Sequence, residues 1–202
     1  MANSDIVNGF KPVRHLDGRS WNGGTRMYLH MAADGVEIFP GDLVKSGGTA
    51  GAAGLTVYGV DCEGMQSVVQ AAAGDTLLVG GVVGVLPNPD ILSGSGSKHV
   101  LASTNRIVLV CDDPSVVYEV QSDGDTTPLV AADIGENCDI IVAAGNTTTG
   151  ASGMEIDDTT HTTATAQIRV LGLVKRPDNA LGANAKYEVV INEHAYKSTT
   201  GT

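Results

Sequence analysis

Apolar residues recur at every second position along most of this chain, and that period leaves little choice but β-structure. "RMYLHM" sets Met27, Leu29 and Met31 on one face and Arg26, Tyr28 and His30 on the other. "TAQIRV" sets Ala166, Ile168 and Val170 against Gln167 and Arg169, and "KYEVVIN" aligns Tyr187, Val189 and Ile191. Each is the signature of a half-buried strand. Three further runs are apolar throughout: "RIVLVC" (106–111), "DIIVAA" (139–144) and "VVGVL" (82–86). They predict strands covered on both faces.

Turn signals separate these runs at short intervals: "NGG" (22–24), "SGGTAGAAG" (46–54), "PNPD" (87–90), "SGSGS" (93–97), "SDGD" (122–125), "GNTTTGASG" (145–153) and "RPDN" (176–179). Such spacing belongs to sandwiches and barrels. No long 3.6-residue period competes with it. "DCEGMQSVVQAAAGD" (61–75) is the best helical candidate, and its length is marginal for a helix. The expectation is an all-β chain of two barrel-like or sandwich-like subdomains, with at most one or two short helices. Asp113-Pro114 marks a soft boundary, which divides the chain into a poorly periodic N-terminal arm (1–24), a first subdomain (25–110) and a second (111–202).

Only 4% of residues are aromatic, so the core has to be built from Val, Ile, Leu and Ala. Twelve Lys and Arg stand against 23 Asp and Glu, for a net charge of −11. That surplus repels phosphate backbones and disfavours nucleic acid as a partner. No apolar run reaches the length of a membrane-spanning helix. "MANSDIVNGF" has neither the basic nor the apolar region of a signal peptide. Cys62, Cys111 and Cys138 are scattered and odd in number, which predicts buried, reduced thiols and no zinc or redox pair.

Motifs for chemistry fail one by one. No nucleophile elbow occurs. "GGTAGAAG" (47–54) lacks the lysine and helix of a phosphate loop. The histidines His15, His30, His99, His161 and His194 include no i, i+2 or i, i+4 pair. Acidic pairs stand at Asp112-Asp113, Asp157-Asp158 and Asp123/Asp125, without the calcium-loop pattern. "DDTTH" (157–161) comes nearest to a metal cluster and reads as a solvated loop, though it is compatible with a weak calcium site between subunits. Two catalytic carboxylates for sugar hydrolysis would want stacking aromatics that the chain lacks. Asn192, Glu193 and His194 place an amide, a carboxylate and an imidazole side by side. Strand alternation puts Glu193 opposite the other two, so they read as the polar end of a last strand. The residues alone therefore predict no enzyme, no cofactor and no metal.

Five segments taken in order carry a resemblance: "NGFKPVRHLDG" (8–18), "GDLVKSGG" (41–48), "QAAAGDTLLVGGVVGVLPNP" (70–89), "CDDPSVVYEVQSDG" (111–124) and "RVLGLVKRPDNALGANAKYEVVINEH" (169–194). Together they resemble the head decoration, or capsid cement, proteins that accompany an HK97-type major capsid protein in tailed bacteriophages. The resemblance runs over about residues 8–196. It implies a protein made in the host cytoplasm that sits on the exterior of the virion, binds the major capsid protein and bridges capsomers. It also implies a homo-oligomer, trimer before dimer. The contact residues expected for capsid or oligomer are Phe10, Arg14, His15 and Trp21, because aromatics and arginine anchor interfaces. For Phe10 and Trp21, packing on their own domain is an equally good expectation. A head-fibre or tail accessory module that contacts the host surface is the alternative function. An enzyme using Asp157, Asp158, His161, Glu193 or His194 comes last.

Overall fold

The computed structural model describes residues 3–88 and 98–198. "SGSGS" and the end of "PNPD" lie outside the described residues. Thirteen strands carry the described fold: β1 (Lys11–His15), β2 (Arg26–His30), β3 (Leu43–Ala50), β4 (Thr56–Val57), β5 (Val60–Asp61), β6 (Gln66–Gln70), β7 (Leu78–Val85), β8 (Arg106–Cys111), β9 (Val116–Gln121), β10 (Asn137–Asn146), β11 (Ala151–Thr162), β12 (Ile168–Leu173) and β13 (Lys186–Ile191). The only helical turns described are two 3-10 segments, Ala131–Asp133 and Ala195–Lys197. The all-β expectation holds.

Strands β2, β6, β3, β7 and β8 close a barrel in that order. Tyr28, Val44, Val68, Val82, Val108 and Val110 belong to one buried cluster of this barrel. Leu29 and Ile107, on the opposite face of the β2–β8 pair, are covered by the β4–β5 hairpin through Val57 and Cys62. Both faces of β2 are therefore buried beyond Met27, and its simple two-face reading is corrected: Tyr28 and His30 are as buried as Leu29, while Met27 is exposed.

The second sheet has the order β1-β9-β13-β12-β10-β11. It curls back on itself. After β9 the chain forms a parallel bridge from Ser122 to Ile156 of β11, and Asp123 N–H donates to the Ile156 carbonyl at 3.1 Å. Inward-facing Val116, Tyr118 and Val120 meet Ile140, Ile156, Ile168, Val170, Tyr187 and Val189 in the largest core. That core is shared, because Leu43, Ala71, Leu78 and Cys111 of the first barrel belong to it.

The chain crosses between the two units from Cys111 to Val116, at Asp113-Pro114. Its first residues do not stand apart as an arm. Lys11–His15 pair with β9, and Asn3 Nδ2 donates to the Ala180 and Ala183 carbonyls of the second unit. The outer edge of β1 is blocked by its own continuation: His15 N–H donates to Arg19 O, and Trp21 N–H to Val13 O. A sheet edge folded over in this way resists strand addition by another chain.

Three other expectations are corrected. Residues 61–75 are not helical: Gly64, at φ +71°, turns the chain, and the β-branched pair Val68-Val69 extends it into β6. "DIIVAA" is not covered on both faces, since Val142, Ala143 and Ala144 are exposed in the outer half of β10. "DDTTH" is no loop, because all five residues lie in β11.

Candidate functional site

The four expected contact residues have different fates. Phe10 is 1% exposed and packs edge-on against Tyr118 in the shared core. Trp21 lies half-buried against the same core. For Phe10, packing on its own domain is what the structure shows, and the ring is not available to a partner. Arg14 pairs with Glu188 of β13 through both Nε and an Nη. His15 Nδ1 lies 3.2 Å from Ser115 Oγ and 3.3 Å from Asp113. These four residues thus fasten β1 to the second sheet. Removing residues 1–24 would open the core as well as strip a surface. Among the described residues, the large apolar side chains that the same segment exposes are Ile6, Val13 and Leu16.

The amide, carboxylate and imidazole at 192–194 follow the end of β13 at Ile191. Asn192 Nδ2 donates to Ala166 O, and Leu78 N–H donates to Glu193 O at 2.8 Å, which ties this segment to β7 of the first barrel. His194 is buried, and its Nδ1 accepts from Tyr196 N–H at 3.1 Å, capping the last 3-10 turn. The three groups serve the junction of the two units and do not converge.

Burial, assisted by Lys197, lowers the His194 imidazole to about 4 from an ordinary 6.5. The native ring stays neutral while the unfolded ring takes up a proton. His194 therefore withdraws stability as pH falls from about 6.5 to about 4, and the loss over that window is about 3 kcal/mol. Denaturant unfolding across the window should show the wild type losing about that much more than His194→Gln. Parallel pH profiles of the two proteins would contradict this account of the ring.

Two clusters of acids form where separate segments meet. In the first, His161 Nδ1 lies 2.9 Å from Glu136 Oε2 and 3.8 Å from Asp133. Its hydrogen bond to Glu136 raises the His161 imidazole above its usual range. This cluster is partly exposed and internally bonded.

The second cluster stands at the seam where the second sheet curls closed. β11 alternates Met154, Ile156 and Asp158 inward, so a carboxylate occupies the next place in an apolar row. Asp158 is 0% exposed, and among the described residues neither of its carboxylate oxygens has a hydrogen-bond partner. The "SDGD" turn lies across from it. Asp123, Asp125 and Asp158 each offer an oxygen within 4.8 Å of the others. Asp123 Oδ1 is likewise buried without a partner, while Asp125 Oδ1 accepts from Thr127 N–H. Burial first, and then the facing Asp123 carboxylate, push Asp158 up to about 8. The sequence displays "DGD" and "DD" as two separate pairs. Only the bridge from Ser122 to Ile156 brings them together, and no local pattern signals it.

No protein family, curated protein or solved structure matches the chain.

Proposed function

We propose that this chain is a structural virion protein of a tailed bacteriophage, which binds the outer surface of the capsid and stabilises the expanded lattice by bridging capsomers. The observation that carries the reading is the ordered set of five segments that resembles head decoration proteins. Those segments supply framework and not loops alone. "NGFKPVRHLDG" contains Phe10 and β1, "GDLVKSGG" opens β3, and the glycine-rich third segment contains β7. "CDDPSVVYEVQSDG" is the crossing plus β9, and the last segment contains all but the first residue of β12 and the whole of β13.

A cement protein has to be stiff, has to resist uncontrolled strand addition and has to tolerate a place outside the DNA. The shared core, the folded-over edge of β1 and the charge of −11 favour those three properties in turn. In this reading the partner is the major capsid protein, and the chain acts as a homo-oligomer, trimer before dimer. With Phe10 committed to the core, exposed Ile6, Val13 and Leu16 take over as the apolar contacts of the N-terminal segment.

Particles assembled with and without the protein should differ in heat resistance. Those without it should release DNA at a lower temperature, and adding the purified chain back should restore the difference. Equal release temperatures with and without the protein would contradict the reading.

A further inference from the structure

The geometry points to a calcium site formed by Asp123, Asp125 and Asp158, which pins the turn after β9 onto β11 and closes the second sheet. Three oxygen ligands from carboxylates, with no nitrogen or sulfur among them, suit a hard divalent cation. Calcium–oxygen distances of about 2.3–2.6 Å place opposed ligands about 4.6–5.2 Å apart. The three oxygens lie within 4.8 Å of one another, close enough for one such ion to reach all three, and a turn facing a strand supplies the irregular ligand set that calcium accepts and that Mg2+, which demands near-ideal octahedral geometry, disfavours.

The independent sign of a ligand is Asp158 itself. It is fully buried at the end of an apolar row, and among the described residues no N–H group, hydroxyl or cation meets its oxygens; only the carboxylates of Asp123 and Asp125 face them. A buried carboxylate left in that state costs several kcal/mol, and native structures seldom keep one unpaired. Asp123 repeats the sign with a second buried, unpartnered oxygen. No lysine or arginine answers them: among the described residues, the ion pairs involve neither Asp123 nor Asp158. A bound cation supplies the missing charge and the missing contacts at once. Its position gives the consequence. Asp123 and Asp125 belong to the segment that leaves β9, and Asp158 belongs to the sheet's far edge strand. The ion therefore joins the edge strand β11 to the segment that follows β9, the strand next to the opposite edge.

The test uses the full chain, stripped with chelator and melted in EDTA, in CaCl2 and in MgCl2 at equal concentration. Calcium at about a hundred times its dissociation constant should raise the melting temperature by about 5 °C or more, and Mg2+ should raise it less. Calorimetric titration should give one calcium per chain. Asp158→Asn should weaken binding by about 100-fold and should melt in EDTA no lower than the wild type, since the amide is uncharged and can donate to the facing Asp123 carboxylate. Asp125→Asn, at the half-buried rim, is the milder variant and should weaken binding about tenfold. Glu136→Gln, in the other acidic cluster, should bind as the wild type does. The proposal is overturned if the wild type melts alike in EDTA and calcium, as two carboxyl groups sharing a proton would do. It is equally overturned if Mg2+ matches calcium, or if Glu136→Gln abolishes the shift while Asp125→Asn leaves it unchanged.

Discussion

Replacing Gln167 by alanine is expected to lower stability by about 3 kcal/mol, seen as a melting temperature reduced by about 8 °C. The side chain is 0% exposed and all its amide positions are used. Nε2 donates to Ala72 O at 2.9 Å and to Asp75 O at 3.0 Å, both in the turn after β6. Oε1 accepts from Gly74 N–H of the same turn and from Ile140 N–H of β10, each at 3.1 Å. One amide thus clamps the first barrel to the second sheet. Alanine would leave the Gly74 and Ile140 N–H groups and the Asp75 carbonyl without this partner, each costing about 1 kcal/mol, while Ala72 O keeps the Asp75 N–H. Gln167→Glu should cost at least as much, because a carboxylate cannot donate to the two carbonyls. A loss below about 1 kcal/mol for Gln167→Ala would mean that the clamp contributes little.

A similar loss is expected from a single methylene's worth of change at Gly9. Gly9 adopts φ +65°, which disfavours any residue with a β-carbon. The site also has no room. A β-carbon would lie 2.5 Å from Ser152 Cβ and closer still to the Gly41 carbonyl oxygen. That oxygen accepts the Phe10 N–H at 2.8 Å, so the clash would fall where the N-terminal segment enters the core. Gly9→Ala should cost about 4 kcal/mol. Gly18→Ala is the internal control, with φ +89° and open space around it. It should cost only about 1 kcal/mol of backbone strain. Equal losses at the two positions would remove the packing argument.

These two residues show where the sequence is readable and where it stops. Alternation identifies β12 and β13 correctly, because Ile168, Val170, Tyr187, Val189 and Ile191 face the core, although Val190 on the other face is covered as well. The same alternation assigns Gln167 to the polar face. It is on that face, but the face is covered by a turn some 92 to 95 residues away, and a local pattern carries no trace of it. Phe10 is read as a docking aromatic because its segment is poorly periodic. A five-residue strand interrupted by a bulge at Val13 and followed by a tight turn has too few residues to display a period. Residues 61–75 mislead in the opposite direction, where small and amide side chains mimic a helix across two turns and one short strand. The acidic site is legible only in part. Its "DGD" and "DD" are visible, but their meeting depends on the curl that sets Ser122 beside Ile156.

The central claim is that the chain is a stoichiometric component of a capsid exterior. Quantitative mass spectrometry of purified particles, counting this chain against the major capsid protein, tests it most directly. The account predicts a fixed ratio, with copies of the chain comparable in number to those of the capsid subunit and released without loss of the subunit itself. A handful of copies per particle would instead indicate a fibre or tail component, and absence from the particle would contradict a virion role altogether.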